Sequence, residues 1–174
     1  MQTAILSAKK FALILAHGFA EAEFIQLQKL TMQQNIRLKV VSAHSGLVNS
    51  QSGAGIGMSF PVDAAISETL AMDYDGMIIL SGEHHLAKLE DELHTGRLLR
   101  AAARESMPIM LVGDAANLPS KLDIDMNASV ADLSAEVSRD KQMVYVRDAD
   151  ALADGLRHLA DAFNEADLDE SEAA

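Results

Sequence analysis

A chain of 174 residues that is 49% apolar is long enough to bury a core and too hydrophobic to stay disordered. Its formal net charge of −12 repels phosphate backbones and anionic headgroups, which argues against nucleic acids and membrane surfaces as partners. It has no cysteine, which removes disulfides, thiolate metal sites and cysteine nucleophiles together; with no Trp either, the core must rest on Leu, Ile, Val, Met and Ala.

The opening MQTAILSAKKFALILAHG has an apolar run without a basic region before it or a small-residue cleavage site after it. It reads as a short tail entering a buried strand rather than a signal peptide, and the expected compartment is the cytoplasm. FALILA, Phe11 to Ala16, is that strand. EAEFIQLQKLTMQQ, Glu21 to Gln34, places Phe24, Leu27 and Leu30 at helical spacing, with acids in the first turn where the helix dipole favours them. IRLKVVSA is a second strand, so the unit is strand–helix–strand, the mark of a parallel sheet.

GLVNSQSGAGIGMSFPVD predicts a β-hairpin. Its GAGIG, Gly53 to Gly57, superficially matches a dinucleotide-binding fingerprint. That motif needs a helix opening on the glycines, and strand-like MSFP follows instead. SETLAM predicts a short helix capped by Ser67. DGMIIL, Asp75 to Leu80, is a third core strand. DELHTGRLLRAAARES, Asp91 to Ser106, is a helix with Leu93, Leu98, Leu99 and Ala102 toward the sheet, and PIMLV is a fourth core strand.

Residues from about Pro119 to Lys141 are weakly patterned and predict an irregular surface path. The glycosylation-like NAS at Asn127 carries no weight without a secretory signal. MVYVR is a last short strand. DADALADGLRHLADAFNEA is a helix with Leu152, Leu156, Leu159 and Phe163 on one stripe, and the acidic residues 167–174 are expected to be a disordered tail.

Parallel sheets bind ligands beyond the carboxyl ends of their strands. That rule gathers His17 and Gly18, then Ser81 to His85, then Gly113 and Asp114, with Glu21 and Glu23 at the start of the first helix. Such a set of carboxylates and imidazoles holds a metal or moves protons. The competing reading is a set of solvated loop residues and helix caps.

The order of elements, with LAHGFAEAEF, MIILSGE and MPIMLVGDAANL, resembles the ThiJ/PfpI superfamily from about Phe11 to Phe163. The resemblance implies an α/β, flavodoxin-like three-layer sandwich of the class I glutamine amidotransferase-like kind. It has a mostly parallel central sheet and a β-hairpin insertion, in one domain over residues 1–166. Glu23 falls where the family places the glutamate that partners its reactive cysteine. In the family's Pro-Gly-Gly turn, Ser81 stands for Pro, Gly82 is kept and Glu83 replaces the second Gly. Anchored on Pro108, the nucleophile elbow puts Gly113 at the cysteine, followed by Asp114, Ala115 and Ala116. The family's histidine has no match in LPSKLDIDMNAS.

Glycine tolerates strained elbow dihedrals but offers no side chain. The expectation is therefore a catalytically degenerate member acting in binding, regulation or assembly. Glu23, Gly82, Gly113 and Asp114 form its vestigial pocket, and His17, Glu23, Glu83 and His84 are its ligand-binding candidates. No cofactor is expected and metal binding is left open. A homodimer is the expected assembly, with a further protein partner as an option and neither nucleic acid nor membrane. Two alternatives stand beside it: a metal- or carboxylate-dependent hydrolase or lyase using Glu23, His17, His84, His85 and Asp114, and a small-ligand sensor using the pocket.

Overall fold

A computed structural model describes residues 5–129 and 133–173. The first four residues of the expected N-terminal tail, residues 130–132 of the irregular segment and the last residue of the acidic tail lie outside them.

The core is a seven-stranded sheet in the order β6-β3-β1-β7-β8-β10-β9. Its members are β1 (Lys10–Ile14), β3 (Arg37–Ser42), β6 (Ala64–Ala65), β7 (Gly76–Ile79), β8 (Ile109–Val112), β9 (Val137–Asp140) and β10 (Met143–Val146). All neighbours pair in parallel except β9, which runs antiparallel along β10. The four apolar runs of the sequence are thus β1, β3, β7 and β8. All four residues of β7 and of β8 are buried, because helices cover both faces.

The period of two sorts each strand between two layers. Phe11 and Leu13 of β1, Ile78 of β7 and Met110 and Val112 of β8 pack with α1 (Glu21–Gln33) and α5 (Leu152–Ala173). Ala12 and Ile14, Met77 and Ile79, and Ile109 and Leu111 face α2 (Glu83–Asp91) and α3 (Leu93–Arg104). The result is the α/β three-layer sandwich with a mostly parallel sheet. The predicted hairpin is β4 (Leu47–Ser52) and β5 (Gly55–Pro61). It pairs antiparallel and joins the short β2 (Phe19–Ala20) in a second, three-stranded sheet. GAGIG lies in this hairpin and opens no helix.

Several expectations are corrected. SETLAM forms two 3-10 turns, Ile66–Glu68 and Ala71–Asp73, and Ser67 sits inside the first rather than capping a helix. The helix expected over Asp91–Ser106 is α3, which starts at Leu93 where the Glu92 carboxylate accepts from the His94 amide; a helix that was not expected, α2, runs before it from Glu83 to Asp91. Leu98, Leu99 and Ala102 are buried as expected, but Leu93, at the break, is 80% exposed. The irregular segment holds a one-turn helix, α4 (Leu118–Lys121), and the edge strand β9. The acidic end, expected to be disordered, continues α5 to Ala173 with every residue from Asn164 exposed. No glycine or proline interrupts it there. No helix among the described residues is long and apolar enough to cross a membrane.

Candidate functional site

Strands β7 and β8 pair with Ile79 opposite Leu111, and the same register carries Ser81 to Gly113 just beyond the sheet. Val112 ends β8, and the chain turns at once through the 3-10 turn Gly113–Asn117 into α4. Gly113 has φ +56, the left-handed region that costs other residues about 1–2 kcal/mol. A Cβ placed there would lie 3.1 Å from the Ser81 Cβ and 3.5 Å from its Oγ. A side chain at this turn would face Ser81.

Ser81 is engaged from the other side. Its amide donates to Glu23 Oε1 at 2.9 Å, and its hydroxyl donates to Glu23 Oε2 in a short hydrogen bond. Glu23, in the first turn of α1, is only 7% exposed. Burial pushes its carboxyl above the ordinary value. The Ser81 hydrogen bonds pull the other way, and the charges of Asp148 and Asp114 add to the rise. Gly82 (φ +135) completes the turn because a Cβ would collide with the Gly18 carbonyl, which lets the loops after β1 and β7 meet. The Ala20 amide donates to the Ser81 carbonyl at 3.0 Å across the same junction. The site is thus a buried acid, a hydroxyl satisfied by it, and a glycine in a left-handed turn. Such a group can hold a proton; it has no polarizable nucleophile.

The histidines do something else. His85 is fully buried on α2. Its Nδ1 accepts from the Ala16 amide at 2.9 Å, and its Nε2 lies 3.1 Å from the Leu80 carbonyl, so the proton sits on Nε2. Burial pushes it down from 6.5 to about 4, leaving a neutral ring that ties the end of β1 to the end of β7. It is a structural group and takes no part in the acid–base set imagined from sequence. His17, after β1, accepts the Asn49 amide at Nδ1 (3.0 Å) and stacks on His44 with centroids 3.6 Å apart. Burial, with the neighbouring charges of His17 and Lys88, lowers the His44 pKa. His17 and His84 line one cleft with Lys88 and the hairpin; Glu23 does not.

The sequence candidates therefore separate. Glu23, Gly82 and Gly113 meet around Ser81. Asp114 is exposed and reaches Glu23 only through its charge. Glu83 is exposed in the first turn of α2 and does not line the cleft of His17 and His84. No three His, Asp or Glu side chains among the described residues converge on a possible metal position. Sequence reasoning missed the roles of Ser81, His44, Lys88 and Asp148. Lys88 follows His84 by four residues, a signal that becomes visible only once α2 is known to be helical. Asp148 follows the last parallel strand, where the rule of carboxyl ends could have found it.

Solved structures share this architecture. A ThiJ/PfpI domain protein from Brachyspira murdochii matches with TM-score 0.73 and 16% identity, over 91% of this chain and 98% of that one. A two-domain protein of Anabaena variabilis, containing DJ-1/ThiJ/PfpI-like and ferritin-like domains, matches with TM-score 0.76 and 18% identity, over 90% of this chain and 48% of that one. Oxidized DJ-1 from Toxoplasma gondii matches with TM-score 0.72 and 14% identity, over 92% and 98%. At these identities the likeness is one of fold. No curated protein matches the chain. The sequence model of the DJ-1/PfpI family matches residues 9–149, from the strand before the His17 loop to the turn that leads into α5, and the chain belongs to that family.

Proposed function

We propose that this family member works by binding, in regulation or assembly, and not by thiol chemistry. One observation carries the reading: the elbow position that the resemblance assigns to the nucleophile is Gly113, in a chain without cysteine. The occupied Glu23 supports it, because its Oε2 is already engaged by the Ser81 hydroxyl. The Anabaena variabilis protein, which joins a domain of this type to a ferritin-like domain, is a precedent for the fold as one part of a larger assembly. A homodimer is the proposed state of the chain alone.

The test is turnover of methylglyoxal and of peptide substrates by the purified protein, before and after chelation. No turnover above buffer is expected. Turnover abolished by Glu23→Ala, or abolished by chelation and restored by one metal ion, overturns the reading in favour of a carboxylate- or metal-dependent enzyme. Light scattering after size exclusion reads the assembly, and a monomer at every concentration removes the homodimer. A second reading, a small-ligand sensor, is favoured by the separate cleft of His17, His84 and Lys88.

A further inference from the structure

The cleft between the β4–β5 hairpin and α2 has a volume of about 350 Å³. That is the lower end of the range of small-molecule sites, about 300–1,000 Å³. Its basic groups come from two separate elements. His17 arrives from the end of β1, while His84 and Lys88, four residues apart, share one face of α2.

The chain has 26 acidic residues against 14 Lys and Arg, yet no Asp or Glu lines this cleft. Asp91 and Glu92 line a neighbouring hollow that shares only Lys88 with it. Among the described residues, neither the His84 nor the Lys88 side chain has a hydrogen bond or an ion pair. Their donors are unspent. The ring of His17 is set as a donor as well: its Nδ1 accepts the Asn49 amide, so its proton lies on Nε2. The stacked ring of His44 buttresses that orientation. On the hairpin side the cleft is bounded by Ile56, which is 83% exposed.

We propose that this cleft binds a small organic anion. Its carboxylate or phosphate is held by His17, His84 and Lys88, and its apolar body lies along Ile56. The proposal rests on the small-ligand reading of the preceding section and supplies the ligand class for it. Charge-assisted hydrogen bonds from Lys and imidazole donors are short and strong, and three of them converging on one anion suit a carboxylate or phosphate better than a neutral group. Nothing in this arrangement uses Glu23 or Gly113, so the cleft operates whether or not the elbow has chemistry.

The experiment is a titration of the full chain with benzoate and with phenyl phosphate, using neutral benzamide as control. The readout is the nuclear magnetic resonance signals of the histidine rings. His84 is assigned by its loss in His84→Gln and His17 by its loss in His17→Gln. Expected is a saturable shift of both rings with at least one of the two anions, weakened about tenfold or more by Lys88→Gln, the loss of one charge-assisted hydrogen bond. Benzamide should move neither ring. Lys88 is exposed, so the variant keeps the fold, which circular dichroism checks. Three results overturn the proposal: no saturable shift with either anion, equal shifts with benzamide, or an affinity unchanged in both Lys88→Gln and His84→Gln. The turnover assay reads catalysis and not anion binding. A failed titration with no turnover therefore refutes the anion cleft and leaves the non-catalytic reading standing, whereas turnover refutes that reading and leaves the titration to be judged by itself.

Discussion

His85 should make the stability of this protein fall steeply below neutral pH. The ring is fully buried and neutral, with both nitrogens used by the backbone at Ala16 and Leu80. Its folded-state pKa of about 4 lies below the 6.5 of an exposed histidine. As pH falls, the unfolded chain therefore takes up the proton first. The stabilising contribution is complete above about pH 6.5 and is lost between there and about pH 4. At about 1.4 kcal/mol per unit the full loss is about 3 kcal/mol. Glutamine at this position can still offer one oxygen and one N–H, but it does not titrate. Urea unfolding of the parent and of His85→Gln, followed by far-ultraviolet circular dichroism, should be compared at about pH 7.5 and about pH 4.5. At the higher pH the variant should be less stable by about 1–2 kcal/mol, the cost of imperfectly replaced hydrogen bonds. Between the two pH values it should lose about 2–3 kcal/mol less than the parent. Other titrating groups are common to both proteins and cancel in the difference. Parallel loss of stability in the two proteins would refute the assignment of His85 as a buried neutral tie. His85→Leu should be worse at every pH, because it leaves two buried backbone groups without partners at about 1–3 kcal/mol each.

Three further outcomes follow from the site and the C-terminus. Glu23 has a raised carboxyl pKa, so the folded state holds its proton more tightly than the unfolded chain, and the contribution present in acid is lost as pH rises through the folded value; Glu23→Gln should gain stability relative to the parent as pH rises, and a denaturation series showing the opposite slope would contradict the rise that burial imposes on this carboxyl. Gly113→Cys should cost about 1–2 kcal/mol for its left-handed backbone, and the rate of thiol alkylation against pH should show an ordinary thiol until Ser81→Ala frees Glu23; a strongly reactive thiol in the single variant would show that Ser81 does not occupy the acid. Deleting the chain from residue 166 onward should change unfolding stability by less than about 0.5 kcal/mol, since residues 166–173 are exposed and the Arg139–Glu165 pair is left in place; a larger loss would mean that the end of α5 packs against something.

The sequence by itself determined the layers. Unbroken apolar runs of strand length at Phe11, Met77 and Ile109 mark strands covered on both faces, and the 3.6 spacing of Phe24, Leu27 and Leu30 marks a covering helix. It also determined that the turn after β8 carries no thiol, because the absence of cysteine and the presence of Gly113 are matters of composition and order. What it could not show is who meets whom. Ser81 and Glu23 are 58 residues apart, and their hydrogen bonds depend on β1 and β7 being neighbours in the sheet. Sheet order is decided by helices packing across the strands, not by any local pattern. His84 and His85 look equivalent in sequence, yet one faces a cleft and the other is sealed in the core. Only the start of α2 at Glu83 separates them, by turning adjacent side chains about a hundred degrees apart. Sequence hid that helix because its nine residues include only Leu86 and Leu89 as large apolar groups, and the docking of α2 on Ile14, Ile79 and Leu98, rather than local propensity, is what holds it.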